Sequence, residues 1–212
     1  MKPSASDMLL LIISSPSGAG KTTLCKRLLV EFGDLRFSVS HTTRAPRMTE
    51  VDGRDYHFVS RDEFHRMVAA GELAEWAEYA GNLYGTSLSE IERARTEGRR
   101  GVLFDVEYQG ARQLRAVRPD VIGVFILPPS LAELERRLRA RATDSDEAIR
   151  RRFEVAKREL GHYGLFDYVI VNDDVDTAYG ELRAVVMAER AVRWRRAALA
   201  ERLLAEGALD KR

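Results

Sequence analysis

The chain has a single cysteine, Cys25, in 212 residues, which excludes an internal disulfide and favours a reducing compartment. Excess charge is missing too. Thirty-four lysines and arginines face 33 aspartates and glutamates, for a net charge of +1. That balance removes the broad basic field that would recruit a nucleic-acid polymer or an anionic membrane. Phosphate binding, if present, must come from local placement of arginines. Long apolar runs are also lacking: the longest early one, Met8–Ile13, falls far short of the roughly 20 residues of a membrane span. It leads straight into a glycine-rich loop, without the small-residue cleavage site of a signal peptide. The expectation is a cytoplasmic protein with no membrane partner. Internal repeats and low-complexity tracts are absent. What remains is ordinary globular material, 45% hydrophobic and 32% charged, enough for one sizeable domain with small lobes.

Four apolar segments are continuous rather than alternating, the pattern of buried parallel strands: Met8–Ile13, Gly101–Val106, Val121–Leu127 and Tyr168–Asn172. Helical patterns separate them. Capping-box spacing marks starts at Ser60 with Glu63, Ser87 with Glu90 and Ser130 with Glu133. Strands alternating with helices predict an α/β fold, a central parallel sheet with helices on both faces. The segment from Phe37 to Thr86 breaks the rhythm with short, partly alternating runs, and predicts a small mixed or antiparallel lobe inserted after the first βα unit. The last stretch, from Glu181, predicts one long amphipathic helix that frays near Gly207.

The stretch "IISSPSGAGKTTL" nearly matches the phosphate-loop pattern G-x-x-x-x-G-K-[ST], with Ser15 in place of the first glycine. In such a loop, backbone N–H groups converge on an anion at the positive end of a helix. Gly18 and Gly20 allow close backbone approach, Lys21 supplies a charge for the β/γ-phosphates, and the Thr22 hydroxyl can ligate Mg²⁺. Ser15 lies at the loop entry, where the chain need only turn, so a small residue suffices. A strand pattern before the loop and a helix pattern after it supply the required context. A second anion site is suggested by Arg44 and Arg47, three apart around Pro46. Two guanidinium forks held together repel unless an anion lies between them, and a terminal phosphate fits; Tyr56 and Tyr84 can add hydroxyl donors.

In order and spacing, "SSPSGAGKTT", "SVSHTTRAPR", "DGRDYHF", "AEWAEYAGNLYGTS", "DVEYQG" and "VNDD" resemble the guanylate kinase family of phosphate-loop nucleoside monophosphate kinases, over about Leu9 to Glu189. The resemblance implies ATP on Ser15, Pro16, Ser17, Gly18, Ala19, Gly20, Lys21, Thr22 and Thr23, with Asn172 near the adenine. It places the family's GMP positions on Ser40, Arg44, Arg47, Glu50, Tyr56, Glu75, Tyr84, Gly85, Thr86, Asp105 and Glu107. Guanine presents N1–H and a 2-amino group as donors and O6 as acceptor; a carboxylate at Glu75 accepts both donors, and hydroxyls at Thr86 and Ser40 can serve O6. Asp105 matches the acidic residue near Mg²⁺, which would be held with Thr22; Glu107 stands where the family usually has aspartate. The arginine-rich "RLRARATDSDEAIRRRF" resembles the family's mobile lid, with its catalytic arginines on Arg137, Arg141 and Arg152; Ala142 replaces the usual glycine. Arg136, Arg139, Arg150 and Arg151 are expected on a solvated helix face. The four histidines show no metal-ligand spacing.

The resemblance therefore implies ATP-dependent phosphorylation of GMP and dGMP in purine nucleotide metabolism, with Lys21, Arg44, Asp105, Arg137, Arg141 and Arg152 in catalytic roles. Expected units are a core of 1–36, 87–136 and 160–212, a GMP lobe of 37–86 and a lid of 137–159. Two rival readings stand beside it. Scaffold modules of the same type bind phosphopeptides without catalysis, but typically degrade the loop that Lys21 and Thr22 preserve here. A related kinase for another phosphorylated small molecule, such as a ribose bisphosphate, would not need Glu75 and Thr86. The terminal helix, with Trp194, Leu199, Leu203 and Leu204, can pack on its own core or in a homodimer.

Overall fold

The computed structural model of the chain describes residues 7–79, 81–140 and 145–209. Its first elements are β1 (Leu9–Ser14), α1 (Lys21–Glu31), β2 (Leu35–Phe37), β3 (His41–Thr42), β4 (His57–Phe58), α2 (Arg61–Ala69), β5 (Leu73–Tyr79) and β6 (Asn82–Ser87). There follow α3 (Ser89–Thr96), β7 (Gly101–Asp105), α4 (Tyr108–Val117), β8 (Ile122–Leu127), α5 (Leu131–Arg139), α6 (Asp146–Leu160), β9 (Tyr168–Val171), α7 (Val175–Ala191) and α8 (Arg193–Leu209). Five strands form a parallel sheet in the order β2-β7-β1-β8-β9. All four strands expected from apolar runs belong to it. β2, only three residues long, was too short to register in the sequence pattern.

β1 is central and all six of its residues are buried, because helices cover both faces. Its side chains alternate between two cores. Leu9, Leu11 and Ile13 pack with Leu24 and Leu28 of α1 and Leu182 and Val186 of α7. Leu10 and Ile12 pack with Ile91 of α3, Phe104 of β7 and Leu114 of α4. Each fully buried side chain of this size contributes about 1.5–3 kcal/mol. β9 departs from the expectation of a fully buried strand. It lies at the sheet edge, with Val169 and Val171 exposed.

The inserted lobe is a second sheet, ordered β4-β3-β6-β5, with one parallel and two antiparallel pairings, as the irregular apolar pattern implied. Phe64 of α2 is buried beneath it, edge-on to Trp76. The Ser60 and Ser130 hydroxyls cap α2 and α5 by accepting from the Glu63 and Glu133 amides, at 3.1 Å each. Ser87 does not follow that plan. It belongs to β6 and donates to the Glu72 carbonyl, while Glu90 is buried beneath Arg36 and Arg93. Tertiary pairing of a strand end outweighs the local capping signal there. Two caps that the sequence did not suggest are Ser145 on α6 and Asp174 on α7.

The expected single terminal helix is two, broken at Val192, whose extended ψ of 142° ends α7. The break turns Arg195 inward, where it is buried and donates to the Met8 carbonyl at the start of β1. Leu199, Leu203 and Leu204 are exposed on α8, so they do not pack on the chain's own core. Among the described residues, no helix is long and apolar enough to cross a membrane.

Candidate active site

The loop after β1 takes the form its glycines require. Gly18 and Gly20 both have φ of 95°, a left-handed conformation that a side chain would strain. Gly20 is also the N-cap of α1, so Lys21, Thr22 and Thr23 occupy the first helical turn, with Thr22 and Thr23 exposed. Asn172, just after β9, donates from Nδ2 to the Ala19 carbonyl at 2.7 Å. A Cβ on Gly20 would stand 2.2 Å from that nitrogen. Asn172 is thus buried as a brace of the loop. Asn172→Ala should cost about 1–3 kcal/mol of stability, by orphaning a buried carbonyl, and should weaken ATP more than GMP; urea unfolding and the two KM values check this.

Two helices, α5 and α6, lie against the loop and Asn172. Arg152 of α6 donates to the Ser17 hydroxyl at 3.0 Å, and the Ser17 amide donates to Glu159 Oε2 at 3.3 Å. Burial, with Glu107 nearby, pushes the Glu159 carboxyl above its ordinary range. Arg137 of α5 donates to Glu133 at 2.6 Å and to the Asn172 carbonyl at 3.0 Å. α5 and α6 share a small core of Leu134, Leu138, Ile149 and Ala156. Arg137 and Arg152 are therefore both brought to the loop, whereas Arg136, Arg139, Arg150 and Arg151 are exposed, as expected. Arg141 and Ala142 lie outside the described residues.

In front of the loop, Lys21 forms an ion pair with Asp105 at the end of β7. Burial alone would lower the Lys21 ammonium; the adjacent Asp105 overrides it and holds the group above its ordinary value. From this pair a cleft of about 370 Å³ runs into the inserted lobe, lined by Ser40, Tyr56, Glu75, Tyr84, Gly85, Glu107 and Gly110 among others. Glu75 and Thr86 are register partners on β5 and β6. Thr86 is buried; Ser40 Oγ lies 3.4 Å from its hydroxyl. Glu75 is also buried; burial raises its carboxyl above the usual range, partly offset by hydrogen bonds from Thr86. Glu75 and Ser40 thus line the cleft, with the buried Thr86 hydroxyl behind them.

Arg44 lies at the cleft rim over the Tyr56 ring, 5.4 Å from its centroid. Its NH2 donates to both Glu50 oxygens, at 2.8 and 3.0 Å, and the Arg47 amide donates to the same carboxylate at 2.8 Å. The anion between the two arginines is therefore the chain's own Glu50, and Arg44 first, then the Arg47 amide, holds its carboxyl below the ordinary value. The Arg47 side chain is exposed, and its contact with Glu50 runs through the backbone amide alone. Cys25 is core filler beneath the loop; burial pushes its thiol up to about 12. Among the described residues no cluster of three His, Cys, Asp or Glu residues could hold a metal.

The guanylate kinase family model matches residues 7–189. The guanylate kinase of Cereibacter sphaeroides is 52% identical over 184 residues, covering 86% of this chain and 87% of that protein. That of Dechloromonas aromatica is 50% identical over 199 residues, covering 92% and 98%. The crystal structure of guanylate kinase from Anaplasma phagocytophilum superposes with a TM-score of 0.68 at 33% identity, over 89% of each chain. A braced phosphate loop, a lobe ending in a buried carboxylate and these likenesses along the whole architecture lead to one assignment: the chain belongs to the guanylate kinase family.

Proposed function

We propose that this chain transfers the γ-phosphoryl group of ATP to GMP or dGMP, giving ADP and the guanosine diphosphate, in cytoplasmic purine nucleotide metabolism. The observation that carries the reading is Glu75, a buried carboxylate in the wall of the same cleft that Lys21 and Asp105 line. A buried carboxylate with spare acceptor capacity suits the two donors on the guanine edge. Adenine offers no such pair and would leave Glu75 unsatisfied, a mismatch that discriminates by about 10⁴-fold.

Phosphoryl transfer asks for in-line placement and charge neutralisation rather than proton or covalent chemistry. Lys21 neutralises charge on the transferring group. Arg44, released from Glu50, and Arg47 orient the acceptor phosphate, with Tyr56 and Tyr84 as hydroxyl donors. Arg137, Arg141 and Arg152 contribute from the lid. The exposed Thr22 hydroxyl and Asp105 are hard oxygen donors, a sparse set that suits Mg²⁺, which keeps waters and substrate phosphates as its remaining ligands. When bound, the ion would neutralise the phosphate oxygens. Three units follow: the core of 1–36, 87–136 and 160–212, the GMP lobe of 37–86 and the lid of 137–159. Their closure excludes water, which would otherwise compete as acceptor. A homodimer through the exposed leucines of α8 is part of the same proposal, and sedimentation velocity tests it.

ATP turnover measured with GMP, dGMP, AMP, UMP and ribose phosphates, with and without Mg²⁺, decides the assignment. Activity should be confined to the two guanine nucleotides and should vanish on chelation. Comparable kcat/KM for AMP or a ribose phosphate would overturn it.

A further inference from the structure

Helix α4 carries two residues that play no part in the chemistry above, Gly110 and Gln113, three positions apart and hence on one face. That face meets β5, the edge strand that carries Glu75. A Cβ on Gly110 would lie 2.6 Å from Glu75 Oε2 and 3.0 Å from its Cδ. The carboxylate therefore occupies the space a side chain at position 110 would fill. One turn on, Gln113 makes two bonds to the residue after Glu75. Its Oε1 accepts from the Trp76 amide at 3.1 Å, and its Nε2 donates to the Trp76 carbonyl at 2.9 Å. A single side-chain amide completes the strand edge as a neighbouring strand would. What the pairing adds is register: it fixes where β5 sits along α4.

We propose that α4 is the positioning element for base selection, with Gly110 leaving room for the Glu75 carboxylate and Gln113 fixing the strand that bears it. Neither residue touches the reacting phosphates; both act through Glu75, and the inference rests on Glu75 as the base-reading group. The geometry separates this role from a purely structural one. The atom a Cβ would strike first is the end of a flexible side chain, so Gly110→Ala displaces the carboxylate rather than the helix. Alanine also favours a helix interior over glycine, so stability should not fall.

The test is steady-state kinetics of the full chain as Gly110→Ala, Gln113→Met and Glu75→Gln, with ATP against GMP and against IMP, whose base lacks the 2-amino donor. Gly110→Ala should raise KM for GMP about tenfold, as expected for one misaligned hydrogen bond. KM for ATP, kcat and Tm should hold, and the preference for GMP over IMP should collapse. Gln113→Met, which keeps the side-chain length and loses both bonds, should shift the same quantities in the same direction, and Gln113→Glu should restore only part. If Glu75→Gln raises KM for GMP while Gly110→Ala and Gln113→Met leave it unchanged, the positioning role is wrong and base reading stands. If Glu75→Gln has no effect on GMP, base reading itself fails and this inference with it. A loss of kcat or Tm with an unchanged GMP-to-IMP ratio overturns it in favour of a structural role. An effect confined to Gly110→Ala removes Gln113 from the proposal.

Discussion

Lys21→Ala lowers kcat by about two to three orders of magnitude, the usual cost of deleting one preorganised charge from a transition state, while the chain stays folded. The expectation follows from where Lys21 sits. Its backbone begins α1 at the phosphate loop, and its ammonium is held near Asp105 in the cleft rather than out in solvent. That ammonium stays protonated through the neutral range, because Asp105 more than offsets the effect of burial. It is therefore a fixed positive charge in the cleft wall beside the phosphate loop. The structural penalty is small. Asp105 is 29% exposed in its side chain, so water can take over when its partner is lost. Single-turnover kinetics and a thermal melt on the same preparation check both halves. A variant with wild-type kcat would remove Lys21 from the chemistry. One that melts far below the parent would make it a structural residue.

The parts of this molecule that were legible in the sequence are those in which a local pattern has one physical solution. β1 carries five consecutive apolar residues, Leu9–Ile13, and a strand buried on both faces requires such a run. The loop between β1 and α1 needs glycines at Gly18 and Gly20 because both have positive φ. The irregular lobe was visible as a change of period, though its pairing order was not. Features that join distant positions left no such trace. Asn172 braces Ala19 across 153 residues, and an asparagine after a strand does not reveal what it will meet. Glu50 looks like one more surface acid beside Arg47, yet it takes the place of an anion between the amide of that residue and the Arg44 guanidinium. Its link to the substrate side came only from the family resemblance; the geometry shows it as the counter-ion of Arg44. Ser87 is the instructive failure. Its spacing to Glu90 satisfies the capping rule, but β6 keeps Ser87 in a strand and the core takes Glu90.

Glu75→Gln separates binding from folding in opposite directions. A carboxylate in the cleft wall can accept from both guanine donors, whereas a glutamine offers one oxygen and turns an amide NH2 toward the second donor. Losing a charge-assisted bond and leaving a donor opposed should raise KM for GMP about 10²–10³-fold, with KM for ATP unchanged. Stability should move the other way. Burial holds the Glu75 carboxyl above its ordinary value despite the bonds from Thr86. Between its unfolded and folded pKa values the folded chain then binds more proton than the unfolded one, so stability falls as pH rises through that window. The buried anion is a cost that the wild type carries at neutral pH and glutamine lacks. Urea unfolding should therefore show the variant more stable at neutral pH, with the difference shrinking as pH falls through the raised pKa and vanishing below the unfolded value. The wild-type kcat/KM for GMP should lose activity over the same acid range, because a protonated Glu75 no longer accepts both donors. The variant should lack that limb. Equal weakening of GMP and ATP, or a variant less stable than the parent at neutral pH, would mark Glu75 as a packing residue and leave the cleft without its base-reading group.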